Sequence, residues 1–79
     1  IGCSIDFAAT LLDACGANTT AKLDGISLLP ALKGEKLPPR AICWHYPHYA
    51  NQGSKPGAAI RFGDYKLIEF YETGRRELF

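Results

Sequence analysis

The dipeptide Gly63-Asp64 lies between two apolar runs, Ala58 to Phe62 and Tyr65 to Tyr71. A two-residue Gly-X link between such runs signals a type II′ hairpin, because glycine accepts positive φ and this turn matches the twist of its strands. The link sets a register: Phe62 faces Tyr65, Ile60 faces Leu67 and Ala59 faces Ile68. Arg61 faces Lys66, a like-charged pair that needs solvent or a nearby acid beside it. A second turn, Glu72-Thr73-Gly74-Arg75, leads into Arg76 to Phe79 and extends the hairpin to a three-stranded meander. Upstream, Ala41 to Tyr46 is rich in apolar and aromatic residues and reads as a further strand. Pro47 ends its pairing, and Tyr49 to Gly57 reads as a loop.

The first half has a helical period. Residues 4–16 predict a helix with Ser4 as N-cap, Asp6 in the first turn and Gly16 as the stop. Asp6, Thr10 and Asp13 form one polar stripe. Ile5, Ala8, Ala9, Leu12 and Cys15, widened by Phe7, Leu11 and Ala14, form an apolar face broad enough to pack on two sides. Ser27 is expected to cap a short second helix, Leu28 to Lys33, with Pro30 in its first turn and Gly34 at its end. Gly34 to Arg40, with Pro38-Pro39, reads as an exposed connection. The expected class is α+β: a small antiparallel sheet with one longer and one short helix.

With 79 residues the chain holds one domain at most, and a globule of that size is marginal alone. It opens on Ile1, has no methionine, and stops at Glu77-Leu78-Phe79 inside a strand-like pattern. It is therefore expected to be a piece of a longer protein. A net charge of +1 gives no electrostatic case for a nucleic-acid or anionic-membrane partner, and neither is expected.

The stretch Cys43-Trp44-His45-Tyr46-Pro47-His48-Tyr49 gathers both histidines and the single tryptophan. A metal site there lacks a third ligand, and Pro47 breaks strand and helix spacing alike. Strand alternation puts Trp44 and Tyr46 on one face, where aromatic side chains usually fill a core. Cys3, Cys15 and Cys43 form no metal or disulfide spacing and read as buried small hydrophobes. The carboxylates Asp64, Glu69, Glu72 and Glu77 read as solvated surface. No Gly-x-Ser-x-Gly and no phosphate-cradling loop is present.

Four segments, in order, resemble the C-terminal part of sulfatases of the arylsulfatase type. Residues 4–16 resemble the family's D-x-x-P-T-L-L-x-x-A-G helix, with Ala9 in place of the usual proline. Asp24 to Gly34 resembles D-G-x-S-L-x-P-L-L-x-G. Arg40 to Tyr49 is similar to R-x-x-x-W-x-x-P, and Ala59 to Ile68 to A-x-R-x-G-x-Y-K-L-I. Glu77-Leu78-Phe79 looks like the start of E-L-Y-D-L.

The resemblance implies that residues 1–79 are a fragment of the C-terminal subdomain of an alkaline-phosphatase-like α/β hydrolase, without its N-terminal catalytic domain. It implies a parent enzyme that hydrolyses sulfate esters, with sulfated carbohydrates as substrates, in the periplasm or secreted. It also implies calcium and a formylglycine made within C/S-x-P-x-R. Neither can be placed here. The three cysteines lack the proline, and Ser54-Lys55-Pro56-Gly57-Ala58 lacks the arginine. The fragment alone is expected to be inactive, with no catalytic or metal residues. Its remaining role is to border the substrate cleft, where His45 and His48 would donate hydrogen bonds to a sulfate or to sugar hydroxyls. Two other readings stand beside it: a phosphate or phosphonate ester hydrolase of the same superfamily, and a carbohydrate-binding module using Trp44, Tyr46 and Tyr49.

Overall fold

The computed structural model describes residues 1–79, which form two compact units, Ile1–Pro38 and Pro39–Phe79.

The first unit holds α1 (Asp6–Ala14) and α2 (Leu29–Leu32). The helix α1 starts one residue later than a Ser4 cap requires, and its N-cap position, Ile5, offers no side-chain bond. Asp6 supplies the missing acceptor. Its carboxylate takes the N–H of Cys3 at 2.7 Å and the N–H of Ile26 at 3.0 Å. One buried carboxylate that reaches two donors displaces a serine that reaches one.

The polar stripe has an inward use. The Thr10 hydroxyl donates to the Asp6 carbonyl at 2.7 Å and accepts from the Leu28 N–H at 2.9 Å. Asp13 accepts from the Ser27 hydroxyl. The segment 25–29 therefore lies along Asp6, Thr10 and Asp13. Gly25 sits so close to the start of α1 that a Cβ there would lie 2.0 Å from the Ile5 carbonyl oxygen.

The broad apolar face of α1 is not covered on two sides as expected: Ile5, Phe7 and Leu11 are all exposed, the last two at 65%. The short α2 also starts one residue later than a Ser27 cap requires, with Leu28 in the cap position and no side-chain cap bond there. Ser27 Oγ accepts from the Leu29 N–H at 3.1 Å, and Pro30 lies in the first turn. Both helices end in the same paired hydrogen bonds, Gly16 to Asp13 with Ala17 to Leu12, and Gly34 to Ala31 with Glu35 to Pro30. This is the Schellman arrangement, which satisfies the last carbonyls of a helix.

The second unit is a four-stranded antiparallel sheet in the order β1 (Ala41–Tyr46), β2 (Gly57–Phe62), β3 (Tyr65–Phe70), β4 (Arg75–Leu78). The hairpin register is the one that Gly63-Asp64 predicts, including Arg61 opposite Lys66, both exposed. Gly63 has φ of +58° and no other residue type in the chain has positive φ, as a II′ turn requires.

The strand β1 pairs along β2, with Trp44 opposite Ala59 and Tyr46 opposite Gly57. Trp44 and Tyr46 do share a face, yet they are 42% and 49% exposed rather than core. In this sheet Ile42 is buried, at 4% exposure, on the strand β1. The cysteines also depart from expectation: all are free thiols, Cys15 and Cys43 exposed and Cys3 half-buried. A chain this short encloses too little volume to bury them.

Candidate functional site

Strand order sets the site. The end of β1 pairs with the start of β2, and Gly57 in turn pairs with Phe70 at the end of β3. The connection 47–56 and the β3–β4 turn 71–74 therefore emerge at the same end of the sheet. Tyr71 N–H donates to the Pro56 carbonyl at 3.1 Å, joining them through the backbone.

His45 lies on the face opposite Trp44 and Tyr46. Its Nδ1 is 2.6 Å from the Tyr71 hydroxyl, and the two rings are tilted with centroids 5.6 Å apart. His48, beyond Pro47, meets the Tyr46 ring edge-on at 5.7 Å. The two predicted site residues thus have separate aromatic partners, one on each side of the strand end.

The loop has its own anchor. The Tyr49 hydroxyl donates to Glu72 Oε1 at 2.6 Å, and Lys55 Nζ pairs with Glu72 Oε2 at 2.9 Å. Glu72 is held below its ordinary value by the Tyr49 hydrogen bond first and by Lys55 next. The bond to Glu72, with burial and its charge behind it, holds the Tyr49 hydroxyl above its ordinary value. Inside the loop, Gly53 N–H donates to Ala50 O at 2.9 Å and Ala50 N–H to Ser54 O at 3.1 Å.

The carboxylates read as solvated surface are exposed or half-buried, and three of them have specific partners. Besides Glu72, Glu69 pairs with Arg76 at 2.9 Å, directly across the strands. Glu77 pairs with Arg75 at 3.0 Å, and Arg75 also lies 4.6 Å over the Phe70 ring. The cations near the site are thereby neutralised.

What remains for a ligand is a set of imidazole and phenol groups beside a shallow hollow of about 220 Å³, lined by Cys43, His45, Ala58, Ile60, Leu67 and Glu69 among others. Such a set can orient an anion or sugar hydroxyls by hydrogen bonds. It contains no activated nucleophile. Sequence reasoning missed Tyr71, Glu72 and Lys55. The signal that finds them is the position of β1 in the sheet, which brings both connections to one end.

The family model of the N-sulphoglucosamine sulphohydrolase C-terminal region matches residues 2–79. An N-acetylglucosamine-6-O-sulfatase of Bacteroides thetaiotaomicron is 38% identical over 76 residues, covering 90% of this chain and 14% of that protein. A crystal structure of a protein assigned as a sulfatase, also from Bacteroides thetaiotaomicron, superposes with a TM-score of 0.66 at 33% identity, over 94% of this chain and 16% of the other. The chain thus spans about one-seventh of the length of the relatives it matches.

Proposed function

This chain belongs to the N-sulphoglucosamine sulphohydrolase C-terminal family, and on that premise we propose that it is the C-terminal part of a larger sulfatase that hydrolyses sulfate esters of carbohydrates. The observation that carries the reading is the poverty of its own core. Ile60, Phe62, Leu67 and Leu78 share one face of the sheet and are exposed, as are Phe7 and Leu11 on α1. Apolar surface on this scale marks a docking surface. In this reading it is covered by the catalytic part of the same protein, which lies outside these residues.

The calcium and formylglycine of such an enzyme also lie outside. No group of three His, Cys, Asp or Glu side chains here is arranged to hold a metal ion, and no residue has the C/S-x-P-x-R setting. The chain contributes the rim of the substrate cleft. His45 and His48 meet the sulfated sugar there, and Trp44 and Tyr46 support the strand that presents them. The same reading carries a periplasmic or secreted location. No helix in the chain is long and apolar enough to cross a membrane.

The test is a comparison of His45→Ala and His48→Ala with the unaltered full-length protein on sulfated sugars. The reading expects lower kcat/KM in at least one variant and fails if both match the parent.

A further inference from the structure

Tyr71 and Glu72 are consecutive residues that point to two parts of the same segment. Tyr71 meets His45, at the end of β1. Glu72 meets Tyr49 and Lys55, near the two ends of the connection 47–56 that carries His48. The turn that carries them is itself braced. Gly74 N–H donates to Phe70 O at 2.8 Å, Arg75 N–H to Thr73 Oγ1 at 3.2 Å, and Tyr71 N–H to Pro56 O at 3.1 Å. Pro56 is buried. We propose that the β3–β4 turn is the positioning device of the histidine segment, with Tyr71 setting the His45 ring and Glu72 setting the loop that carries His48.

The chemistry follows from which ring nitrogen is taken. With Nδ1 of His45 engaged by the Tyr71 hydroxyl, Nε2 is the nitrogen left for a ligand. When the phenol donates to Nδ1, Nε2 carries the ring proton and can donate to a sulfate oxygen. Tyr71 thereby selects a donor at the site without touching the ligand. Glu72 acts at the loop. A connection of this length, closed only by its strands, samples many conformations. The carboxylate clamps it from both sides with two charge-assisted hydrogen bonds, one from the Tyr49 phenol and one from the Lys55 ammonium. Both are positioning residues, and neither is a catalytic one. The inference deepens the cleft-rim reading and rests on it for its kinetic consequence only.

The experiment uses the full-length protein with ring-¹⁵N-labelled histidine, in which His45→Gln and His48→Gln assign the two rings. Tyr71→Phe should move the ¹⁵N shifts of His45 toward a mixed tautomer. Glu72→Gln should shift or broaden those of His48, and Lys55→Met, which leaves Glu72 in place, should do so to a smaller degree. Tyr71→Phe and Glu72→Gln should each raise KM for a sulfated sugar about threefold to tenfold, the range of one lost hydrogen bond, with kcat nearly unchanged. Unchanged ring spectra in Tyr71→Phe, Glu72→Gln and Lys55→Met would overturn the proposal. Altered spectra with unchanged KM would uphold the positioning and count against the cleft-rim reading instead.

Discussion

The carboxylate of Asp6 accepts the amide N–H of Ile26 at 3.0 Å, joining the first turn of α1 to a loop twenty residues further along the chain. The same carboxylate holds the Cys3 N–H, and the side chain is fully buried. Asp6→Ala leaves both donors without that acceptor. Such a change costs about 2 kcal/mol or more. Faster hydrogen exchange at the Cys3 and Ile26 amides is the expected reading.

Gly25 makes a matching prediction from the other side of that contact. A Cβ there falls 2.0 Å from the Ile5 carbonyl oxygen and 2.8 Å from the Asp6 Cα, both backbone atoms that cannot step aside. Gly25→Ala should push the loop off α1, at a cost of about 2 kcal/mol. Loss of protection at Ile26 and Leu28 in the same exchange experiment checks it. Gly53→Ala, with no atom within 4 Å of the new Cβ but φ at +86°, carries backbone strain without a clash and so separates the two costs.

The Tyr49–Glu72–Lys55 clamp has a predictable pH window. The value of Glu72 is lowered from 4.5 by Tyr49 and then Lys55, so its contribution is present above about pH 4.5 and is lost as pH falls through the lowered value. The value of Tyr49 is raised from 10.0 chiefly by the bond to Glu72, so its contribution is present below pH 10 and is lost as pH rises through the raised value. The clamp should therefore be unchanged from about pH 5 to pH 10. Ultraviolet titration should show one tyrosine ionising late, and Glu72→Gln should bring that tyrosine back toward its ordinary range.

The exposed apolar face of the sheet should be sticky when these residues are produced alone. Ile60, Phe62, Leu67 and Leu78 offer neighbouring side chains that are 39%, 57%, 37% and 67% exposed. The isolated segment should bind a hydrophobic dye and melt broadly. Phe62→Ser combined with Leu67→Ser should reduce the dye signal. A sharp, cooperative melt without dye binding contradicts the docking role of this face.

The sheet was legible because its cues are local. Gly63-Asp64 sets the β2–β3 register, and the bounds of β1 follow from its aromatic run and Pro47. The helix stops were legible for the same reason, since glycine at each end marks a Schellman motif. The polar stripe was seen but not its use. A carboxylate facing water and one facing a distant loop have the same helical spacing, and only the fold separates them. The site was half legible. His45 and His48 stand out by residue type, but Tyr71 and Glu72 are found only when β1 is known to pair with β2, because that pairing brings residue 71 to residue 45. The aromatic residues were misread as core, because a sequence pattern reports which face a side chain takes and not whether that face is covered.

The central claim is that His45 and His48 line the edge of a sulfatase cleft, and kcat/KM on a panel of sulfated sugars tests it most directly. With His45→Ala or His48→Ala in the full-length protein, the account predicts a fall of about tenfold in kcat/KM, the scale of a lost hydrogen bond to a charged ligand. Wild-type kcat/KM in both variants across the whole panel would contradict it.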